Sequence, residues 1–263
     1  MMTDVLNETY DFVFSIGENC ATAMYLKSCC LRDASYPFDW LAGMPIPKRI
    51  ELILSGFSRF MEKEDFVQES FYPFGMDRET GTPETTYRNT YTDLLFVHDF
   101  KEPIPFDEAY PKVKEKYERR INRLLKKLQD SQRILLVGRQ WHSTFDVQAI
   151  VEAHEKLVRA YPGKIINILI LQNDMTKRHA EYIPVSEHAL LVKHALHGKR
   201  FKGNIPNNME IFTRIKMPNL FWRRLRHRVL QKIIRVLATL HYPFSHKKRH
   251  QFMDEKKKAW LRE

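Results

Sequence analysis

The sequence predicts an α/β fold: three layers built on a mostly parallel sheet with flanking helices, plus a basic amphipathic helix at the C-terminus. Three observations predict it. Short apolar runs at 10–16, 133–138 and 164–171 alternate with helix-length segments, the order expected of parallel strands joined by right-handed crossovers. The cores of the last two runs, 134–137 (ILLV) and 165–171 (IINILIL), are almost continuously apolar, as strands buried on both faces are. Charge is also uneven: residues 198–263 hold 18 Lys+Arg against 4 Asp+Glu, whereas residues 1–197 hold 25 against 28. The chain therefore divides into an α/β domain over 1–197 and a basic extension over 198–263.

The elements follow in order. The run YDFVFSI at 10–16 breaks at Gly17-Glu18-Asn19 and leads into ATAMYLK, which reads as strand, tight turn and a helix over about 20–29. Residues 31–40 lack periodicity, and Pro37 excludes a helix interior there. They form an ordered loop. A helix over 48–54 precedes an irregular excursion at 71–91, rich in Gly, Pro and Thr. The run at 94–97 reads as a strand ending at His98. A helix over about 110–129 carries Tyr117, Ile121, Leu124, Leu125 and Leu128 at spacings of three and four. A strand at 133–138, a helix at 149–161, a strand at 164–171 and a last strand at 189–192 complete the domain.

Several function classes are excluded or disfavoured. No GxGxxG follows a strand, and there is no GxxxxGK[ST], HExxH or CxxC. No metal and no cofactor is expected. The three cysteines, Cys20, Cys29 and Cys30, are odd in number and two are adjacent, so no disulfide framework is expected. That usage suits a reducing compartment. There is no apolar run of about 18 residues and no N-terminal apolar h-region, so a cytoplasmic protein is expected.

Open parallel sheets place their sites at the carboxyl ends of strands. Cys20 follows the first strand, His98 and Asp99 follow the run at 94–97, and Arg139, Gln140, Trp141 and His142 follow the strand at 133–138. If these strands are parallel, all of these residues converge on one crevice. A thiol at a helix N-terminus meets unpaired backbone N–H groups and the positive end of the dipole, which favour thiolate, the reactive form. Cys20 is the candidate nucleophile, His98 its base and Asp39 the residue orienting that base. Asp99 is next to His98 on a strand, so it points away and braces the site from behind. Gly17 and Asn19 shape the turn, whose N–H groups would bind an oxyanion. Arg139 and His142, with Ser15 and Trp40, are candidate substrate contacts. The competing reading of Cys20 is a small residue packed under a turn.

The motif SxGxxC at Ser15–Cys20, then Leu31-Arg32, Pro37-Phe38-Asp39-Trp40 and His98-Asp99-Phe100, resembles a bacterial family of unknown function named for papain-like cysteine peptidases. The resemblance covers about 10–172. It implies Cys20 as nucleophile with His98 as partner, and a peptidase, hydrolase or acyl-transfer activity. It also implies, more loosely, a role in envelope polysaccharide assembly. Papain-like enzymes carry the cysteine on a long helix entered from a loop and the histidine on an antiparallel sheet. The strand–turn–helix order here reads instead as parallel α/β. The alternatives are a non-catalytic binding or scaffold protein of the same fold, and a glycosyltransferase-like protein.

The extension holds one amphipathic helix at 219–240. Trp222, Leu225, Val229, Ile233, Val236, Leu237 and Leu240 recur at helical spacing, and Arg223, Arg224, Arg228 and Arg235 lie among them. This pattern suits an anionic membrane surface or membrane-bound enzymes, which would place the protein peripherally on the inner membrane. The rival reading is a helix packed on the domain or on a second copy. Nucleic acid is disfavoured, because no RNP, KH or OB signature accompanies the charge.

Overall fold

The computed structural model describes residues 4–69, 82–140, 146–174, 176–177, 179–194, 209–242 and 245–260. The first half runs β1 (Phe12–Ser15), α1 (Ala21–Ser28), a 3-10 turn at Pro37–Trp40, β2 (Leu41–Gly43), α2 (Ile46–Leu54), β3 (Phe66–Gln68), β4 (Glu84–Asn89) and β5 (Leu94–Lys101). The second half runs α3 (Phe106–Asp130), β6 (Arg133–Arg139), α4 (Val147–Ala160), β7 (Ile165–Asn173), β8 (Glu181–Ser186), β9 (Ala189–His194), α5 (Met209–Arg214), α6 (Leu220–His241) and α7 (His246–Trp260).

The apolar runs pair as the sequence predicts. β1, β6, β7 and β9 lie parallel, and β8 closes the edge antiparallel, in the order β1-β6-β7-β9-β8. Successive side chains of a strand point to opposite faces, and both faces are apolar here. Phe12, Phe14, Ile134, Leu136, Ile166, Ile168 and Ile170 pack into one core with residues of α2, α3 and α4. Val13, Leu135, Val137, Leu169, Leu171 and Val192 pack into a second core with Leu26 of α1 and Ile211 and Phe212 of α5. The result is three layers, as expected. Residues 209–220 join this packing: Phe212, Ile215 and Leu220 are buried, and Tyr10 N–H donates to the Lys216 carbonyl at 2.9 Å.

One expectation is overturned. The strand carrying His98 does not belong to the parallel sheet. β5 pairs antiparallel with β2 and β4 in a separate four-stranded sheet, ordered β2-β5-β4-β3. The run at 94–97 is only the first half of a strand that continues to Lys101. Phe96 and Phe100 of β5 pack with Phe66, Phe106 and Tyr117 into an aromatic layer against α3. Midway, the register jumps: Tyr87 pairs Phe96, but Thr85 pairs Phe100. Residues 97–99 therefore face Thr86 alone, a bulge that lies on His98 and Asp99 and redirects both side chains.

Candidate active site

The turn that presents Cys20 is fixed from both sides. Ile16 and Glu18 donate backbone N–H groups to the Val137 and Arg139 carbonyls, at 2.9 and 3.1 Å, so the chain stays laced to β6 past the end of β1. At Gly17 an added Cβ would stand 2.2 Å from Thr22 Oγ1 and 3.2 Å from the Arg139 nitrogen. Glycine is required there by close approach. Asn19 Oδ1 accepts the Ala21 N–H at 3.0 Å, and Met24 N–H bonds the Cys20 carbonyl at 3.0 Å. The Asn19 bond is an Asx turn leading into α1, whose N-cap residue, Cys20, makes no side-chain capping bond. Cys20 is left half-buried at the helix N-terminus. Ser15 is fully buried, and its Oγ accepts the Gly17 N–H at 3.3 Å. It braces the turn from beneath.

Arg139 ends β6, the strand beside β1, and is 8% exposed. Burial pushes its guanidinium down from the ordinary arginine range, and the Tyr25 phenol and Cys20 thiol oppose this by favouring the cation. Tyr25 is itself raised by burial, with Arg139 acting against that shift and Cys20 with it. Cys20, Tyr25 and Arg139 thus form one electrostatically coupled group at the carboxyl ends of β1 and β6. Coupling is reciprocal, so the guanidinium field favours charge on the sulfur. Tyr25 was not singled out from the sequence, where it reads only as a helix residue. His142 lies outside the described residues.

His98 is held elsewhere. Its Nδ1 lies 2.9 Å from Glu84 Oε2, across the β4–β5 pair. The imidazole is 41% exposed, whereas the carboxylate is 3% exposed. A neutral His98 donating Nδ1–H to this carboxylate keeps its lone pair on Nε2, the arrangement of an oriented base. Glu84, not Asp39, is the carboxylate paired with His98. No sequence signal marked it, because β4 (ETTYRN) turns polar Glu84 and Thr86 inward and shows no apolar alternation.

Asp39 has a different task. It is fully buried, and its Oδ2 accepts Arg32 Nη1 at 2.7 Å and the Tyr36 N–H at 2.9 Å. Burial pushes its carboxyl up, with the Arg32 cation as the main opposing influence. Arg32 also lies over the Trp40 ring, 5.4 Å from its centroid. The PFDW segment is therefore a clasp closed by Arg32, with Trp40 as part of that stack. Asp99 accepts the Tyr117 hydroxyl at 2.8 Å and pairs with Lys116, tying β5 to α3. The 3-10 turn touches α1 on one side and α3 and β5 on the other. It is the joint between the sheet that carries Cys20 and the sheet that carries His98.

A further residue missed from the sequence is Arg49 of α2. It is fully buried, donating to the Leu41, Gly43 and Met44 carbonyls at 3.3, 2.7 and 2.9 Å. Burial pushes it down to about 9, and Glu18 opposes this. It couples the turn before Cys20 to the end of β2.

A family model described as "putative papain-like cysteine peptidase" matches residues 11–175. The chain belongs to this family. An uncharacterized protein of Acanthamoeba polyphaga mimivirus is 30% identical over 119 residues, which is 41% of this chain. The aligned stretch spans about half, 52%, of that relative's length. No solved structure matches. In this family member His98 stands on an antiparallel sheet. Cys20 stands elsewhere. It starts an eight-residue helix fed directly by a strand of a parallel sheet.

Proposed function

We propose that the protein is a cysteine-dependent hydrolase or acyl transferase, peptidase activity included, with Cys20 as its nucleophile. The observation that carries this reading is the setting of Cys20: a half-buried thiol at the N-terminus of a helix, in the field of the buried Arg139 cation. In the reaction the Cys20 sulfur attacks a carbonyl carbon. Helix-start N–H groups and Arg139 stabilise the oxyanion, and the leaving group departs with a proton, giving a thioester. Water or an acceptor then cleaves that thioester. The His98–Glu84 pair is the acid–base partner in this reading. It is supported by the buried carboxylate that fixes the imidazole tautomer and by the exposure of the ring. Cys20 and His98 would act across the joint made by the 3-10 turn.

The test is alkylation of Cys20 by iodoacetamide as a function of pH. Cys29 is pushed up to about 12 and Cys30 is also raised, burial being the main cause in both. Labelling near neutral pH therefore reports Cys20, with Cys20→Ala as the control. The expected apparent pKa lies below the ordinary ~8.5 of a thiol and rises in Arg139→Gln. An ordinary value, unchanged in Arg139→Gln and His98→Ala, removes the nucleophile assignment.

A further inference from the structure

The first turn of α6 is anchored to the domain. Leu220 is buried in the second core, Arg223 Nη2 donates to the Arg32 carbonyl at 3.0 Å, and Arg224 Nε donates to the Cys29 carbonyl at 3.3 Å. Of the arginines read from sequence as membrane contacts, Arg224 therefore caps the C-terminal end of α1 and Arg223 holds the loop after it. From there α6 leaves the domain and pairs with α7. His241 and Tyr242 stack on Phe252, and Ile234 and Ala238 are the buried residues of its central and final turns.

The opposite side of α6 is different. Trp222, Leu225, Val229, Ile233, Val236 and Leu240 are all exposed, Trp222 at 65% and Leu240 at 71%. At 100° per residue these six fall within an arc of about 80°. Exposed cations border that arc: Arg226 on one flank, and Lys232, Arg228 and Arg235 on the other. α6 contains no acidic residue. Among the described residues no carboxylate pairs with any of these four. An uncovered aromatic–aliphatic stripe of this size marks an interaction surface.

We propose that this face of α6 lies on an anionic lipid bilayer, with the apolar arc in the headgroup–acyl boundary and the flanking cations on lipid phosphates. The charge pattern selects this occupant over the others. Two copies of the chain meeting through this face would appose two cation rows with no acids between them. A nucleic acid would neutralise the flanks and leave the apolar arc in water. A bilayer surface satisfies both parts at once. Among the described residues no helix is long and apolar enough to cross a membrane, so the helix lies along the interface. The surface does not depend on Cys20.

The full chain is to be sedimented with large unilamellar vesicles of phosphatidylcholine alone, or of phosphatidylcholine with phosphatidylglycerol. The protein is expected to bind only the anionic vesicles, and less as salt rises. Each lost cation weakens partition about five-fold, so Arg228→Gln/Arg235→Gln should bind ~30-fold more weakly. Val229→Asp/Val236→Asp, two exposed positions, should abolish binding while the melting curve stays unchanged. Brominated lipid should quench wild-type fluorescence, and Trp222→Phe should lose that quenching yet still bind. The proposal is overturned by any of three results. The wild type ignores anionic vesicles at low salt; the Asp variant binds as the wild type does; or light scattering shows a dimer that the Asp variant dissolves and that does not bind vesicles.

Discussion

A methyl group at Gly17 would stand 2.2 Å from Thr22 Oγ1, closer than real Cβ contacts come, and the Arg139 backbone blocks retreat on the other side. Gly17→Ala should therefore cost roughly 2–4 kcal/mol of stability and slow Cys20 alkylation, read by denaturant melts and labelling rates on the same sample. A melt within 0.5 kcal/mol or so of wild type would show that the turn has slack. His154 poses a different residue-scale question. It lies on the buried face of α4, its Nε2 donating to the Ile166 carbonyl at 2.9 Å, and burial pushes it down to about 4. An unfolded histidine takes its proton near pH 6.5, so the unfolded chain binds more protons between that pH and about 4. The stability from neutral His154 is complete above pH 6.5 and is lost as pH falls towards 4, on the order of 3 kcal/mol in all. Urea melts across that window should show the slope, and His154→Leu should flatten it. An equal slope in that variant would assign the acid sensitivity elsewhere. The sequence offers no sign of this, because His154 stands in a helix among Glu152, Glu155 and Lys156 and reads as surface.

At the scale of elements, the Arg32–Asp39 pair closes the loop between α1 and β2 inside the protein, with side-chain exposures of 5% and 0%. Breaking one side of such a pair strands a buried charge. Asp39→Ala should destabilise by about 3–5 kcal/mol, and Arg32→Met with Asp39→Leu should recover much of it. Additive single and double effects would mean that the two groups are not coupled. The same loop shows what the sequence could and could not reveal. The PFDW segment was legible as ordered because proline and aromatics in a non-periodic stretch need tertiary partners. Its partner Arg32 was not. β6 and β7 were legible because both their faces are apolar. β2 and β3 are three residues each, too short for a period. β4 buries polar residues, and β8 buries no residue fully, so none of the four carries the apolar signal on which a strand is read. Without them the run at 94–97 had no antiparallel partners, and His98 was assigned to the wrong sheet. The placing of Cys20 beside Arg139 rested on two apolar strands, β1 and β6, which pair parallel. Glu84 was missed for the reason that β4 was.

Across the whole molecule, packing is unequal. The parallel sheet carries fully buried residues on both faces. Beyond Leu220, α6 buries only Ile234 and Ala238. Local opening follows buried contact, so amides of β6 and β7 should exchange with solvent last and those of α6 orders of magnitude sooner. Deuterium uptake by mass spectrometry resolves the two, and equal protection would mean that the tail is as firmly held as the sheet. Anionic vesicles should slow exchange in α6 and leave β6 unchanged. The anchoring of α6 by Arg223 and Arg224 to the far end of α1 also makes α1 a ruler. Its eight residues span about 12 Å, with the tail rooted at one end and the Cys20 sulfur at the other. A surface gripped by the tail would thus lie at a set height from the thiol.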